Sequence, residues 1–129
     1  MKIIKGEIYT DFRGVVRFVN GFTLDKVVRM YTVQPRNNFI RAWQGHRRET
    51  KWFFAAKGDF LVKCVEMNTG KKEEYWLTDK KSEVLEIPGG FYNGFVSNGE
   101  DSTLLVFSNF TLEESKSDDF RKTIEELPW

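Results

Sequence analysis

The sequence holds one cysteine and one histidine in 129 residues. A lone Cys64 forbids an internal disulfide, so a reducing, cytoplasmic setting is expected. In that setting the Asn109-Phe110-Thr111 sequon carries no meaning. His46 and Cys64 alone cannot assemble a closed zinc site of the usual kind, and no metal or other cofactor is expected. An excess of one charge is also lacking. Twenty basic side chains against 19 acidic ones leave a net charge of +1, which argues against a nucleic-acid partner or an anionic membrane surface. Apolar runs such as Trp52 to Ala56 and Thr103 to Phe107 fall far short of the roughly 20 residues that cross a bilayer. Met1 to Gly6 places Lys2 and Lys5 around two isoleucines, which is no signal-peptide pattern. Repeats, low-complexity stretches and linkers are missing as well. One domain spanning 1–129 is therefore expected, large enough to bury a core without staples.

What the chain does have is alternation. From Lys2 to Phe110, short apolar or β-branched runs are punctuated by Gly, Asn and Asp, as in an all-β sandwich or barrel. The pattern predicts strands at Ile3 to Tyr9, Val15 to Val19, Lys26 to Val33, Phe39 to Trp43, Lys51 to Ala56, Asp59 to Glu66, Glu73 to Thr78, Glu83 to Ile87, Gly94 to Ser97 and Thr103 to Phe107. Asn68-Thr69-Gly70-Lys71 reads as a hairpin turn, since Gly70 takes a positive φ at little cost. The tail differs. Thr111 to Leu127 is rich in charge, and Phe120, Ile124 and Leu127 fall at i, i+4 and i+7, which predicts a short amphipathic helix ended by Pro128.

Aromatic residues make up 16% of the chain, more than a core of this size needs for filling, so some are expected to line a pocket. The densest polar and aromatic segment runs from Phe39 to Trp52. As a strand it puts Arg41, Trp43 and Gly45 on one side and Ala42, Gln44 and His46 on the other. A barrel interior receiving Gln44 and His46 would be a polar cavity in need of a ligand. The plain alternative is a solvated edge strand. A second segment, Ile87-Pro88-Gly89-Gly90-Phe91-Tyr92-Asn93-Gly94-Phe95, predicts a tight bend that presents Tyr92 and Asn93. A third, Asp11-Phe12-Arg13-Gly14 followed by Arg17, carries guanidinium forks suited to phosphate, although Arg13 on its own reads first as a surface ion-pairing residue.

Together these segments resemble the cupin-fold sugar-nucleotide epimerases and ketoisomerases. Asp11-x-Arg13-Gly14 and Ile87-Pro88-x-Gly90-Phe91-x-Asn93-Gly94-Phe95 are similar to segments of the dTDP-4-dehydrorhamnose 3,5-epimerases, whose turn usually reads I-P-x-G-F-x-H-G-F. Val28-Arg29-Met30-Tyr31 with Arg41-x-x-Gln44-x-His46 is similar to the dTDP-hexose 3,4-ketoisomerases, which show R-V-Y and then R-G-x-H-A-H. The closing Asp118-Asp119-Phe120-Arg121 also resembles the ketoisomerases. The resemblance implies an RmlC-like jelly roll: an antiparallel β-sandwich or barrel with a short C-terminal helix. It also implies a homodimer, and a place in deoxysugar and polysaccharide biosynthesis.

The implied chemistry is proton transfer beside the ketone of a dTDP-4-keto-6-deoxyhexose, giving 3,4-ketoisomerisation or 3,5-epimerisation. It needs a base, a cation for the enolate oxygen and an acid. His46 is the side chain naturally suited to be the base, its plain alternative being a structural imidazole tied to Glu49 in the turn. Arg41 or Lys51 would hold the enolate, and Tyr31 or Tyr92 would return the proton. Arg13 and Arg17 are expected at the diphosphate, with Phe12, Trp43 or Trp52 stacked on thymine. Lys51 and Arg17 also read as members of a solvated face. Gln44 and Asn93 stand where the families place histidines, and an amide cannot accept a proton at useful pH. The alternative is therefore a non-catalytic cupin that binds a sugar or sugar nucleotide. A metal-sensing cupin would need more ligands than His46 and Glu49 supply.

Overall fold

A computed structural model describes residues 1–129. Its strands are β1 (Lys2–Lys5), β2 (Glu7–Asp11), β3 (Gly14–Phe18), β4 (Arg29–Val33), β5 (Arg41–His46), β6 (Lys51–Glu66), β7 (Lys72–Thr78), β8 (Glu83–Ile87), β9 (Phe91–Ser108) and β10 (Phe120–Arg121), with one helix, α1 (Leu112–Lys116). No helix is long and apolar enough to cross a membrane.

Two long strands organise the fold. β6 and β9 run antiparallel along nearly their whole length, from Lys51 opposite Ser108 to Glu66 opposite Phe91. Their register shifts between Ala55 and Asp59, where Gly58 takes φ +84°. Beyond that bend each strand finds a different neighbour. The first residues of β6 pair with β8, which pairs with β1, and the end of β9 pairs with β4. The second half of β6 pairs with β7, while the start of β9 pairs with β5 and so with β10. One bent set of strands thus makes two facing layers, an antiparallel sandwich.

The core between the layers follows the period-2 pattern. Phe53 and Ala55, then Phe60, Val62 and Cys64, meet Leu104 and Val106, with Leu77, Leu85, Ile87 and Phe95 closing the cluster. The Asn68 to Lys71 turn forms as expected, with Gly70 at φ +75°. The β2–β3 hairpin lies outside the main sheet as a two-stranded ribbon.

Three expectations are corrected. Ile3 to Tyr9 is two strands, because the chain breaks at Gly6, whose missing side chain leaves room for the Phe18 carbonyl. The runs at Lys51 to Ala56 and Asp59 to Glu66 are one continuous strand, as are those at Gly94 to Ser97 and Thr103 to Phe107. The tail helix spans only Leu112–Lys116, started by a Thr111/Glu114 capping box. After it, Phe120 and Arg121 pair with the free edge of β5 instead.

Candidate functional site

A cavity of about 560 Å³ opens between the layers, within the range of small-molecule sites. β4 contributes Tyr31 and Val33, β5 contributes Arg41 to Gln44, β6 contributes Lys51 and Phe53, and β9 contributes Asn93, Phe95 and Val106. The tail supplies the remaining wall with Arg121 to Glu126. It is held there by β10, which pairs Phe120 with Gly45 and Arg121 with Gln44. Further along, Trp43 Nε1 donates to the Leu127 carbonyl at 2.6 Å, and the Trp43 ring packs on Trp129. Lys63 donates to the main-chain oxygen of Trp129 and Lys72 to that of Pro128.

Strict alternation on β5 does not hold. The β5–β9 register shifts between Arg41 and Gln44, and such an irregularity re-aims side chains. Arg41, Ala42, Trp43 and Gln44 all reach the cavity wall. On β6 alternation does hold: Lys51 and Phe53 face the cavity, while Trp52 turns away to Phe22 and donates to Glu86 at 2.9 Å.

Lys51 is 3% exposed, which corrects its reading as part of a solvated face. Its Nζ donates to Gln44 Oε1 at 3.2 Å, and Gln44 Nε2 donates to Asp119 Oδ1 at 3.2 Å. Burial is the main cause that lowers the Lys51 amine to about 8; Arg29 and Arg121 lower it further, while Glu49 and Asp119 oppose them. Burial also leads in raising the Tyr31 phenol above its usual range, so Tyr31 is a proton donor at neutral pH.

His46 is equally buried but does not line the cavity. It lies against the tail, where its Nδ1 is 2.6 Å from the Asp118 carbonyl oxygen and 3.5 Å from Glu49 Oε1. The shorter contact takes the proton, so Nδ1–H donates to Asp118. Nε2 is buried without a partner. Burial first, then the Lys51 charge, lower the His46 pKa, and the Asp118 carbonyl and Glu49 offset this only in part. Glu49 Oε2 accepts from Arg29 at 3.2 Å and from Ser108 Oγ at 2.7 Å. The Asp118 carboxylate accepts the backbone N–H groups of Arg47, Arg48 and Glu49, each at 2.9 Å. Burial alone would raise its pKa; those three bonds outweigh it and lower it.

The cavity therefore gathers Tyr31, Arg41, Trp43, Gln44, Lys51 and Asn93 from the expected set, and leaves His46, Tyr92, Arg13, Arg17, Phe12 and Trp52 outside its wall. Arg17 is no solvated residue. Its guanidinium donates to the carbonyls of Ala55, Ala56, Thr78 and Lys81 and lies over the Phe54 ring, pinning the β2–β3 ribbon to the bend of β6. Arg13 pairs with Asp11 at 2.7 Å beside Phe12, which is 97% exposed at the ribbon tip. Tyr92 sits opposite Gly45, under Lys122. Sequence reasoning missed Asp119, Arg121 and Lys122. The Asp118-Asp119-Phe120-Arg121 segment was the available signal, obscured by its helical spacing. No three His, Cys, Asp or Glu side chains group as metal ligands.

Comparison with solved structures defines the class of fold: the RmlC-like cupin jelly roll. A dTDP-4-dehydrorhamnose 3,5-epimerase from Sulfolobus tokodaii is similar at TM-score 0.80 and 24% identity, over 98% of this chain and 79% of that one. The QdtA 3,4-ketoisomerase from Thermoanaerobacterium thermosaccharolyticum, in complex with TDP, gives TM-score 0.76 and 18% identity, over 94% and 86%. The RmlC epimerase of Mycobacterium tuberculosis gives 0.78 and 14%, and this chain covers 92% of itself but only 66% of that longer protein. No protein-family model matches the chain, and no curated protein matches it in sequence.

Proposed function

We propose that this protein is a sugar-nucleotide isomerase that moves a proton beside the ketone of a dTDP-4-keto-6-deoxyhexose. One observation carries the reading: the cavity of this fold is lined by a buried amine, a phenol and guanidinium groups at Lys51, Tyr31, Arg41 and Arg121. Enolisation needs a proton acceptor, a cation beside the developing oxyanion and a proton donor in one water-poor space. Arg41 and Arg121 suit the oxyanion or the diphosphate, and Tyr31 suits the donor. Trp43 offers an aromatic face, while Gln44 and Asn93 offer amides to sugar hydroxyls. A relative of the same fold holds TDP, which supports a nucleotide-linked substrate.

The test is incubation with dTDP-4-keto-6-deoxyglucose in heavy water. Deuterium is expected at a ring carbon flanking the ketone, above the enzyme-free control. C3 label alone indicates ketoisomerisation, and label at C3 and C5 indicates 3,5-epimerisation. A raised melting temperature without label would replace this reading with the non-catalytic binding cupin.

A homodimer in the cytoplasm completes the proposal. Cys64, the lone cysteine, suits a reducing compartment. The β2–β3 ribbon exposes Tyr9, Phe12, Val15 and Val16, and β4 pairs only with β9, so its other edge is open. Apolar ribbons and open edges of this kind are usually covered. Sedimentation equilibrium should give twice the chain mass; the single-chain mass at micromolar concentration overturns the dimer.

A further inference from the structure

The cavity contains few groups able to take a proton from carbon. The guanidinium groups of Arg41 and Arg121 donate hydrogen bonds and accept none, and burial raises the Tyr31 phenol so that it keeps its proton at neutral pH. Glu125 and Glu126 are exposed tail residues, and Glu126 is engaged in a capping box with Thr123. His46 lies outside the wall with its Nδ1–H committed to Asp118. Lys122 also belongs to the wall, but it is an exposed tail residue whose ammonium lies over the Tyr92 ring, outside the cavity. What remains is the buried Lys51 amine.

Its surroundings are built. Asp119 accepts from Arg121 Nε at 3.0 Å and from Gln44. Burial would raise its carboxyl, but those bonds outweigh it and keep it below the usual range. An ionised carboxylate can only accept, so the Gln44 NH2 must face Asp119 and the Gln44 oxygen must face Lys51. That oxygen accepts an N–H from either the ammonium or the neutral amine. One hydrogen of Lys51 is thus held in both charge states, and its remaining positions are free for the cavity.

We propose that Lys51 is the base of the reaction, its amine taking the proton from the carbon beside the ketone, with Gln44 as a positioning residue fixed by Asp119. The inference rests on the isomerase reading. In the step, the amine lone pair binds the proton and the C–H pair becomes the C=C bond. The carbonyl π pair moves to oxygen, beside Arg41 or the Tyr31 hydroxyl. For the ketone shift, the Tyr31 hydroxyl gives its proton to the enolate oxygen and takes the proton of the neighbouring sugar hydroxyl; the O–H pair freed there becomes the new C=O bond, and the C=C pair takes the proton back from the ammonium at the former carbonyl carbon, so no further reactant is needed. Gln44, which cannot itself be a base, gains a role that an imidazole there would not fill in the same way.

The charged and titratable groups acting on the amine are Arg29 of β4, Glu49 of the turn after β5, and Asp119 and Arg121 of the tail, with the Tyr31 ring of β4 5.8 Å away and His46 of β5 within reach of its charge; Arg41 and neutral Asn93 share the cavity wall. With the amine at about 8, exchange should rise with pH and level off above that value.

The experiment compares deuterium exchange in wild type, Lys51→Arg and Gln44→Leu, with TDP-induced thermal stabilisation measured for each. Lys51→Arg should slow exchange by about 100-fold or more while TDP still raises the melting temperature. Gln44→Leu, lacking the oxygen that favours the ammonium, should move the acid limb of the pH–rate profile to lower pH. If Lys51→Arg does not fold, Lys51→Ala with added methylamine replaces it, and exchange should rise with amine concentration. Wild-type exchange that survives Lys51→Arg, or a Lys51→Ala variant that methylamine does not rescue, overturns Lys51 and leaves the isomerase reading standing. An unmoved profile in Gln44→Leu removes the positioning role. Absence of exchange in the wild type overturns the reading and this inference together.

Discussion

Lys51 and His46 stand on consecutive strands, each 3% exposed, yet they belong to different parts of the molecule. His46 is sealed in with Glu49, Arg29, Ser108 and Asp118. Lys51 and Gln44 face the cavity, with Asp119 bonded to Gln44 behind them. Adjacent tail residues serve both clusters. Asp118 clamps the tail to the turn after β5, and Asp119 orients Gln44 at the cavity wall. The difference teaches that burial of a titratable group does not by itself make a site. The open volume beside it does, and here the path of the tail decides which group has that volume.

The largest expected effect sharpens the sealed side. Glu49→Ala removes the carboxylate from Arg29 and Ser108 and leaves the Arg29 charge in a pocket where its side chain is 22% exposed. Breaking one partner of a buried pair costs about 3–5 kcal/mol, and partial access of Arg29 to water favours the lower end, about 3 kcal/mol. Urea unfolding should show that loss as a lower midpoint with an unchanged slope. A loss below about 1 kcal/mol would mean that the cluster is a polar patch rather than a clamp, and the contrast with Lys51 would fail.

How much of this was legible differs along the same line. The β layers were written in period-2 runs such as Phe60, Val62 and Cys64, and the Gly70 turn in its own chemistry. The bend that joins two predicted strands into β6 was not, because Gly58 breaks the alternation while pairing with β9 resumes at Asp59 after a shift of register. The tail misled for a physical reason. Phe120, Ile124 and Leu127 have helical spacing, but the open edge of β5 offered backbone partners to Phe120 and Arg121, and sheet pairing won. Arg17 read as solvated because nothing local reveals that its guanidinium reaches the carbonyls of Ala55 and Ala56 at the β6 bend and of Thr78 and Lys81 after β7. Lys51 was named as a candidate, but its burial was hidden. Its cover comes from Gln44 and from a tail far along the chain, and alternation within β6 carries no trace of either.

A smaller effect tests the cavity side of the comparison through stability rather than turnover. The Lys51 amine falls from the ordinary 10.5 to about 8 in the folded chain. Between those values the unfolded chain binds more protons, so folded-state stability rises with pH across the window and the full penalty applies below it. The shift corresponds to about 3 kcal/mol; the hydrogen bond to Gln44 returns part, leaving about 2 kcal/mol. Lys51→Met, of similar length and without charge, should therefore be more stable than wild type at pH 7. Its advantage should shrink as pH rises from 8 and vanish near 10.5, as followed by thermal melts across that range. Such a variant would trade the proposed chemistry for stability, as strained functional groups commonly do. A Met variant that melts below wild type at pH 7 would mean that the ammonium is well paired where it stands. Lys51 would then join Glu49 and Arg29 as part of the scaffold, and the division between the two clusters would be lost.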